Sequence, residues 1–560
     1  MSETPQNPEK TPANQRSYST WFGFATREIT SRNSVRIRVR WGRVAIFLMV
    51  LGLLGWFAKS WALYIFFKNV RGFEDVAFTD MVLFPLNRTN VRVQQGDYQI
   101  EQAKAALERE DYRRAYALLR EGVARSSANL EGRMLLAQIY AGWRPELASE
   151  LLVEGIEYGK EDPRYISLML RLLLAQKQDD QVLEMTETLM AEEPAEDVER
   201  ILAVSRLRSA MLNGKFDIVR EVIEETDLEN TYDGLMLGVE VYERTDRIDL
   251  AISVLMSAIN SMPRENADPL INRLRTLFQK REMYEQAREV ALELVIRKPL
   301  EWRPRVALID VLSASEMYER RDREIAALIK EHRNDEQAMT ALARLAAEYG
   351  NVEAATRLYE IALENGYSLG LFSLTLAEAQ IQNGEYEEAI DLCNELIRED
   401  PTWMLNSEST FNAIRSLAYY GYGDEELGNL YLRNFIDSKR ANPTQLFSAA
   451  RRFRENGLTE QARMILQEAY LRDPKNEQIL ATLIDLEMDL GVFFSLTEHL
   501  NALFELRRPD YALIESIQSR LQSDRFLYTE NRTGLLESLE AIVSEKPEMD
   551  WDIWKRRTAG

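Results

Sequence analysis

At 560 residues, with a formal net charge of −22, 46% hydrophobic and 29% charged residues, the chain has the make-up of a folded protein rather than a disordered one. An acidic total is the wrong sign for a general nucleic-acid binder, which neutralises phosphates with a basic face. The single cysteine, Cys393, excludes an intrachain disulfide, and the two histidines, His332 and His499, are too far apart in sequence to form a pair at metal-binding spacing.

The first segment, 1–43, is a basic arm with eight Lys or Arg and three Glu, and it precedes a long acidic body. Residues 1–19 are polar and carry Pro5, Pro8 and Pro12, so the arm is expected to be disordered. Residues 34–41 alternate Val35, Ile37, Val39 and Trp41 with Arg36, Arg38 and Arg40, a period of two that suits a strand. One reading has this stretch add to a partner's sheet edge. The plainer reading has the arginines, with Arg43, bind anionic headgroups and fix topology.

Residues 44–67 form the one strongly apolar run. As a helix it would span about 36 Å, against about 30 Å for a bilayer core. Lys59 lies roughly 24 Å beyond Arg43 along such a helix, within snorkelling reach of the far headgroups. Trp41 stands at one edge, with Trp56 and Trp61 towards the other, as interfacial aromatics do. The positive-inside rule puts 1–43 in the cytoplasm and the body across the membrane, in a bacterium the periplasmic side of the inner membrane. A cleaved signal peptide is the competing reading, but its basic region and apolar run would both be shorter.

Residues 68–95 carry Phe73, Phe78, Met81, Val82, Leu83, Phe84 and Leu86, too many apolar groups for a free linker. They are expected to lie at the membrane interface or pack on the first repeat; a docking surface for a membrane partner is the alternative.

From 96 to 547 the chain repeats itself. The clearest copy is 370–403, where Leu376, Ala377 and Ile381 share one helical face and Asn383-Gly384 breaks the helix. Tyr386, Ala389, Ile390, Cys393, Leu396 and Ile397 form a second apolar face, and Asp400-Pro401 ends the unit. Thirteen units align on Ala389: Ala115, Ala148, Val182, Val219, Ala251, Ala287, Arg321, Ala355, Ala389, Leu427, Ala462, Thr497 and Leu535, at a mean spacing of 35. Three residues before the anchor stand Tyr112, Phe216, Ile248, Tyr284, Tyr318, Tyr386 and Phe494. Twelve residues after it stand Pro194, Pro263, Pro299, Pro401, Pro474, Pro509 and Pro547. This resembles the tetratricopeptide repeat, whose period is about 34. The resemblance implies an all-α chain: one N-terminal transmembrane helix, then a right-handed α-solenoid of about 13 helical hairpins, with a groove lined by first helices. Residues 548–560 remain as a tail. Arg321 stands where a small residue is expected, and the units at 301–334, 403–442 and 510–547 fit loosely.

No sequence for chemistry stands out. The chain has no Walker sequence, GxGxxG, HExxH or GxSxG. Cys393 falls on an inner repeat face and reads as a core thiol. Glu385, Glu387 and Glu388, like Glu224 and Glu225, read as solvated helix faces. Trp143, Trp302, Trp403 and the tyrosines near 420 are candidates to reach a surface and anchor ligands. The clamp for acidic peptide tails, known in co-chaperone repeats, needs lysine and asparagine where the best repeat has Leu371, Leu374 and Glu378. No enzyme activity, cofactor, metal or nucleic-acid partner is expected. The expected function is a membrane-anchored scaffold for an envelope-associated complex, with protein partners on the groove or connector and lipid around 44–67. The alternatives are a periplasmic chaperone-like factor and a non-catalytic subunit of polysaccharide export or modification.

Overall fold

A computed structural model describes residues 17–546 apart from 21–22, 30–34, 71–72, 74–75, 227, 229–230, 262–263 and 400. Pro263, Pro547 and the tail therefore lie outside the described residues, as do the first 16. The chain separates into two compact units, 1–172 and 173–560.

The first unit opens with a three-stranded antiparallel sheet, β1 (Ser17–Thr20), β2 (Ala25–Ile29) and β3 (Val35–Val39), in that order. The arm expected to be disordered is thus a small sheet over 17–39. The alternation that marked a strand pairs with the chain's own β2, Ile37 opposite Arg27 and Val39 opposite Ala25. Helix α1 (Trp41–Ile65) follows and runs on through a π-helical turn, Phe66–Val70. It is long and apolar enough to cross a membrane, and its large apolar side chains from Ile46 to Phe57 are 43–66% exposed.

The remainder is helical. A short α2 (Phe78–Val82) leads to hairpins: α3 (Phe84–Glu108) with α4 (Tyr112–Arg125), α5 (Leu130–Ala141) with α6 (Pro145–Glu154) and one-turn α7 (Ile156–Gly159), and α8 (Pro163–Ala175) with α9 (Asp179–Met190). Next come α10 (Glu196–Leu212) with α11 (Phe216–Glu225), α12 (Tyr232–Arg244) with α13 (Ile248–Ser261), and α14 (Arg264–Lys280) with α15 (Tyr284–Arg297). Then follow α16 (Trp302–Ala314) with α17 (Tyr318–His332), α18 (Glu336–Glu348) with α19 (Val352–Asn365), and α20 (Leu369–Gln382) with α21 (Tyr386–Glu399). The last are α22 (Pro401–Tyr422) with α23 (Glu425–Ile436), α24 (Pro443–Glu455) with α25 (Thr459–Arg472), α26 (Glu477–Leu490) with α27 (Leu496–Phe504), and α28 (Tyr511–Gln522) with α29 (Arg532–Ser544). The first hairpin starts at Phe84, not at 96. α3 takes up the end of the connector across a kink at Asn87, because the polar stretch after it keeps helical geometry.

The turn inside each hairpin is set locally. In most of them the residue two before the second helix is left-handed, and the next N–H reaches back five residues, as Glu385 N to the Gln380 carbonyl at 2.8 Å and Met283 N to Phe278 O at 2.8 Å. Glycine fills the left-handed place at Gly384, but Glu110, Lys177, Asp246, Glu282 and Glu316 occupy it elsewhere with φ of 57–60°. A side chain there costs roughly 1–2 kcal/mol. Glu282 is exposed, so Glu282→Gly should stabilise the fold by about 0.5–1 kcal/mol, once the greater freedom of unfolded glycine is discounted, and raise the melting temperature. Gly384→Ala should lower it by a similar amount. Calorimetry of both variants checks the pair.

Within each unit, stacking then joins the hairpins. Ala115, Ala148, Val182, Val219, Ala251, Ala287, Ala389 and Ala462 are fully buried, Ala355 and Leu535 nearly so. The register slips in two units. Gly428, not Leu427, is the small residue against the Tyr420 ring, where a Cβ would sit 2.9 Å from the ring. In the twelfth hairpin Leu496 and Leu500 fill the core while the Thr497 hydroxyl donates to Glu530 O at 2.7 Å. Arg321 lies under the ring of Tyr318, 4.8 Å from its centroid, and pairs with Asp322 at 2.8 Å. Tyr112, Tyr284 and Tyr386 each begin a second helix, Tyr112 being 64% exposed. The prolines start or precede first helices: Pro401 opens α22, and Pro299 and Pro474 lie in the turns before α16 and α26.

The second unit curls until distant hairpins meet. Arg507 grips Asp179 through two hydrogen bonds of 2.7 and 2.9 Å and donates to Leu174 O at 2.6 Å. Arg508 N bonds Leu212 O at 2.7 Å, the Arg244 guanidinium bonds Arg508 O at 3.1 Å, and Lys177 pairs with Glu477.

Candidate partner-binding groove

First helices of a stack face one another along its inner side, so their polar residues line a trough. One such trough in the second unit runs across α18, α20, α22 and α24. It encloses about 760 Å³ and is walled by Arg344, Leu371, Leu374, Glu378, Thr410 and Arg452, among others. A smaller cavity of about 260 Å³, lined by Ile414, Phe435 and Gln445, shares Glu378 and Arg452 with it.

Glu378 is the centre of the site. Its carboxylate pairs with Arg452 at 2.6 Å, and its side chain is only 14% exposed. Burial pushes its pKa up, against the pull of the Arg452 and Arg344 guanidinia. Arg344 is exposed on the trough wall and is not drawn into a direct pair with Glu378. Hydroxyls of Ser368, Thr375, Ser407, Thr410 and Ser448 surround the charges, with Leu371 and Leu374 beside them. The arrangement suits an extended chain: apolar side chains against the leucines, its backbone and one charged group against the hydroxyls and the arginines.

Leu371, Leu374 and Glu378 were legible as the groove face of the best repeat. Arg452 and Arg344 were not, since each belongs to another hairpin and carries no local signal. The repeat-defining alanines are buried between helices, and neither they nor the tyrosines line the trough. Arg38, Arg40, Arg43 and Trp41 are exposed around the start of α1, Arg36 lies in β3 opposite Glu28, and Trp56 and Trp61 lie towards the other end. Trp143, 53% exposed, packs with Tyr116 and Tyr140 under the Arg144 guanidinium. Trp302 carries Arg303 over its ring, and the Trp403 side chain lies outside the described residues. Tyr419 stacks on Tyr431 with Arg415 4.0 Å from the latter's centroid.

Among the described residues no three His, Cys, Asp or Glu are grouped to hold a metal. His499 bonds Glu487 at 2.8 Å inside the last hairpins. Cys393 is 1% exposed, and burial pushes its thiol up to about 12 against the Arg415 charge. A thiol reagent should leave the native protein unmodified at neutral pH and label it only with denaturant, as mass spectrometry of the reacted protein will show.

The family model for the tetratricopeptide repeat matches residues 340–402, which include α19, α20 and α21 and most of α18. No curated protein matches the chain. Among solved structures the chain is similar to a tetratricopeptide repeat protein from Parabacteroides merdae, at 16% identity over 46% of this chain and 98% of that one, with a TM-score of 0.28. It is similar to a chain of the APC/C hetero-tetramer Cut9–Hcn1 at 14% identity over 83% and 97%, TM-score 0.26. The pentatricopeptide repeat protein PPR10 from maize gives 15% over 81% and 65%, TM-score 0.42. The matched segment lies on the clearest of a run of like hairpins, so the chain carries the tetratricopeptide repeat at 340–402 within an all-α solenoid fold.

Proposed function

We propose that the protein is a membrane-anchored scaffold whose second unit holds an extended segment of a partner in the trough of α18, α20, α22 and α24. A stack of tetratricopeptide hairpins is a protein-interaction scaffold. The observation that carries the location is the Glu378–Arg452 pair, which keeps charge and hydrogen-bonding capacity at the floor of an otherwise uncovered trough. The anchor rests on α1, exposed and apolar through its middle. The arginines before it and the acidic body after it favour a cytoplasmic N-terminus and a solenoid across the membrane, in a bacterial inner membrane the periplasmic side. The partner is then a member of an envelope-associated complex.

Crosslinking and affinity purification of the full-length protein from its native membranes, followed by mass spectrometry, is the test. One or a few stoichiometric partners, crosslinked to first-helix faces near Glu378 and lost in Glu378→Ala, are expected. A broad array of unrelated exported proteins, indifferent to Glu378, would replace the scaffold with a client-holding factor.

A further inference from the structure

The helix that begins at Trp41 continues without a break to Val70, 30 residues in all. At 1.5 Å per residue that is about 45 Å, some 15 Å more than a bilayer core needs. The excess is not bare. Beyond Trp56 one side of the rod is covered by the chain folding back on it. The Trp56 indole N–H donates to Val82 O at 3.0 Å, and Phe78 sits against Trp61 and Tyr64 at 5.8 and 6.2 Å. Phe67 meets Phe84 at 6.0 Å, and Phe73, Val76, Met81 and Val91 are buried behind them. Helix α2 therefore lies level with residues 56–64, not past the end of the rod.

That level is inside the outer part of the bilayer. Counting from Arg43 at the inner headgroups, residue 56 lies about 20 Å along the helix and residue 64 about 32 Å. Backbone groups of α2 find partners where an unpaired carbonyl would have no water to turn to. Asp80 N bonds Ala77 O, Leu83 N bonds Thr79 O, Asn87 N bonds Leu83 O, and the Trp56 indole takes Val82 O. The outward surface is apolar at Trp61, Ile65 and Leu83, which are 41–56% exposed and continue the lipid-facing surface of α1. Thr79 and Asp80 are its polar residues.

We propose that α2 and Leu83 form a foot seated in the outer leaflet, with lipid as its occupant, so that the first hairpin is mounted directly on the bilayer rather than on a free tether. This rests on the reading of α1 as a membrane span. The test uses the full-length protein with Cys393→Ser in nanodiscs of phosphatidylcholine and phosphatidylglycerol. Single cysteines are placed at Leu51 in mid-span, Leu83 on the foot and Thr89 on exposed α3, and probed with a membrane-impermeant maleimide. Each is also labelled with a fluorophore that lipid-borne nitroxides quench. Leu83→Cys should react at least tenfold more slowly than Thr89→Cys and be quenched by a shallow nitroxide. Adding Trp56→Phe should restore much of its reactivity. If Leu51→Cys is protected while Leu83→Cys reacts like Thr89→Cys and escapes quenching, the foot is wrong and the span stands. If Leu51→Cys itself reacts, the span fails and the foot with it. Protection of Leu83→Cys in native membranes but not in nanodiscs would give the site to a protein partner and overturn the lipid assignment.

Discussion

Asp179→Ala is expected to open the second unit and to cost about 3–5 kcal/mol of the contact's stability, the usual result of leaving one charge of a buried pair without its partner. The Arg507 side chain is 14% exposed and that of Asp179 6%, and their two parallel hydrogen bonds are the fork geometry that only arginine supplies. Asp179 also anchors Ser209, whose hydroxyl donates to its backbone carbonyl at 2.9 Å. The pair joins positions 328 residues apart, so once the carboxylate is gone the guanidinium keeps only its bond to the Leu174 carbonyl. Arg507→Lys keeps the charge but loses the fork and should show an intermediate effect. Small-angle scattering should register a larger radius of gyration for Asp179→Ala. Hydrogen exchange should rise in α9–α12 and α26–α28 and stay unchanged in α16–α20. An unchanged radius and uniform protection would mean that the contact closes nothing.

Acid should loosen the same contact. Burial alone would raise Glu477, but the hydrogen bond and charge of Lys177 outweigh it and hold its pKa below the ordinary glutamate value. A carboxylate held down in the folded state adds stability that is fully present above the ordinary value and is lost as pH falls through the folded one. Exchange protection of α26 should therefore drop on acidification across that window, and less so in Lys177→Ala, which has already lost the pair.

The second large effect is expected of Arg452→Ala. It strands Glu378 on the floor of the trough at a cost of up to about 3 kcal/mol, below the fully buried case because Arg452 is 34% exposed. The sign with pH is opposite to that of Glu477. The folded state already raises the Glu378 carboxyl, so folded protein takes up the proton more readily than unfolded chain. Stability is then greatest below the ordinary glutamate value and declines as pH rises towards the raised one. Without Arg452 the decline should reach further towards neutral pH. Arg452→Ala combined with Glu378→Gln should recover most of the loss, since no charge is left unpaired. Melting temperatures from pH 4 to 8 for the three proteins decide this. Equal slopes in wild type and Arg452→Ala would show that the pair is solvated and not the core of a site.

The sequence by itself determined the repeating unit. A left-handed turn residue, a small residue at Ala251, Ala287 or Ala389, and a tyrosine opening the second helix act within some 30 residues of chain, so their spacing shows them directly. It determined the apolar helix for the same reason, since length and composition suffice. The tertiary structure decided what rests on distance. Which residue fills the core at Gly428 and Leu496 follows from the ring or leucine that the next helix presents, not from the period. The arm's strands needed β2 as a partner before Val35–Val39 could pair. Arg452 reaches Glu378 from two hairpins away, and Arg507 reaches Asp179 across the whole curl of the second unit. Such pairs are fixed by the small rotation added at each repeat, which no single residue encodes.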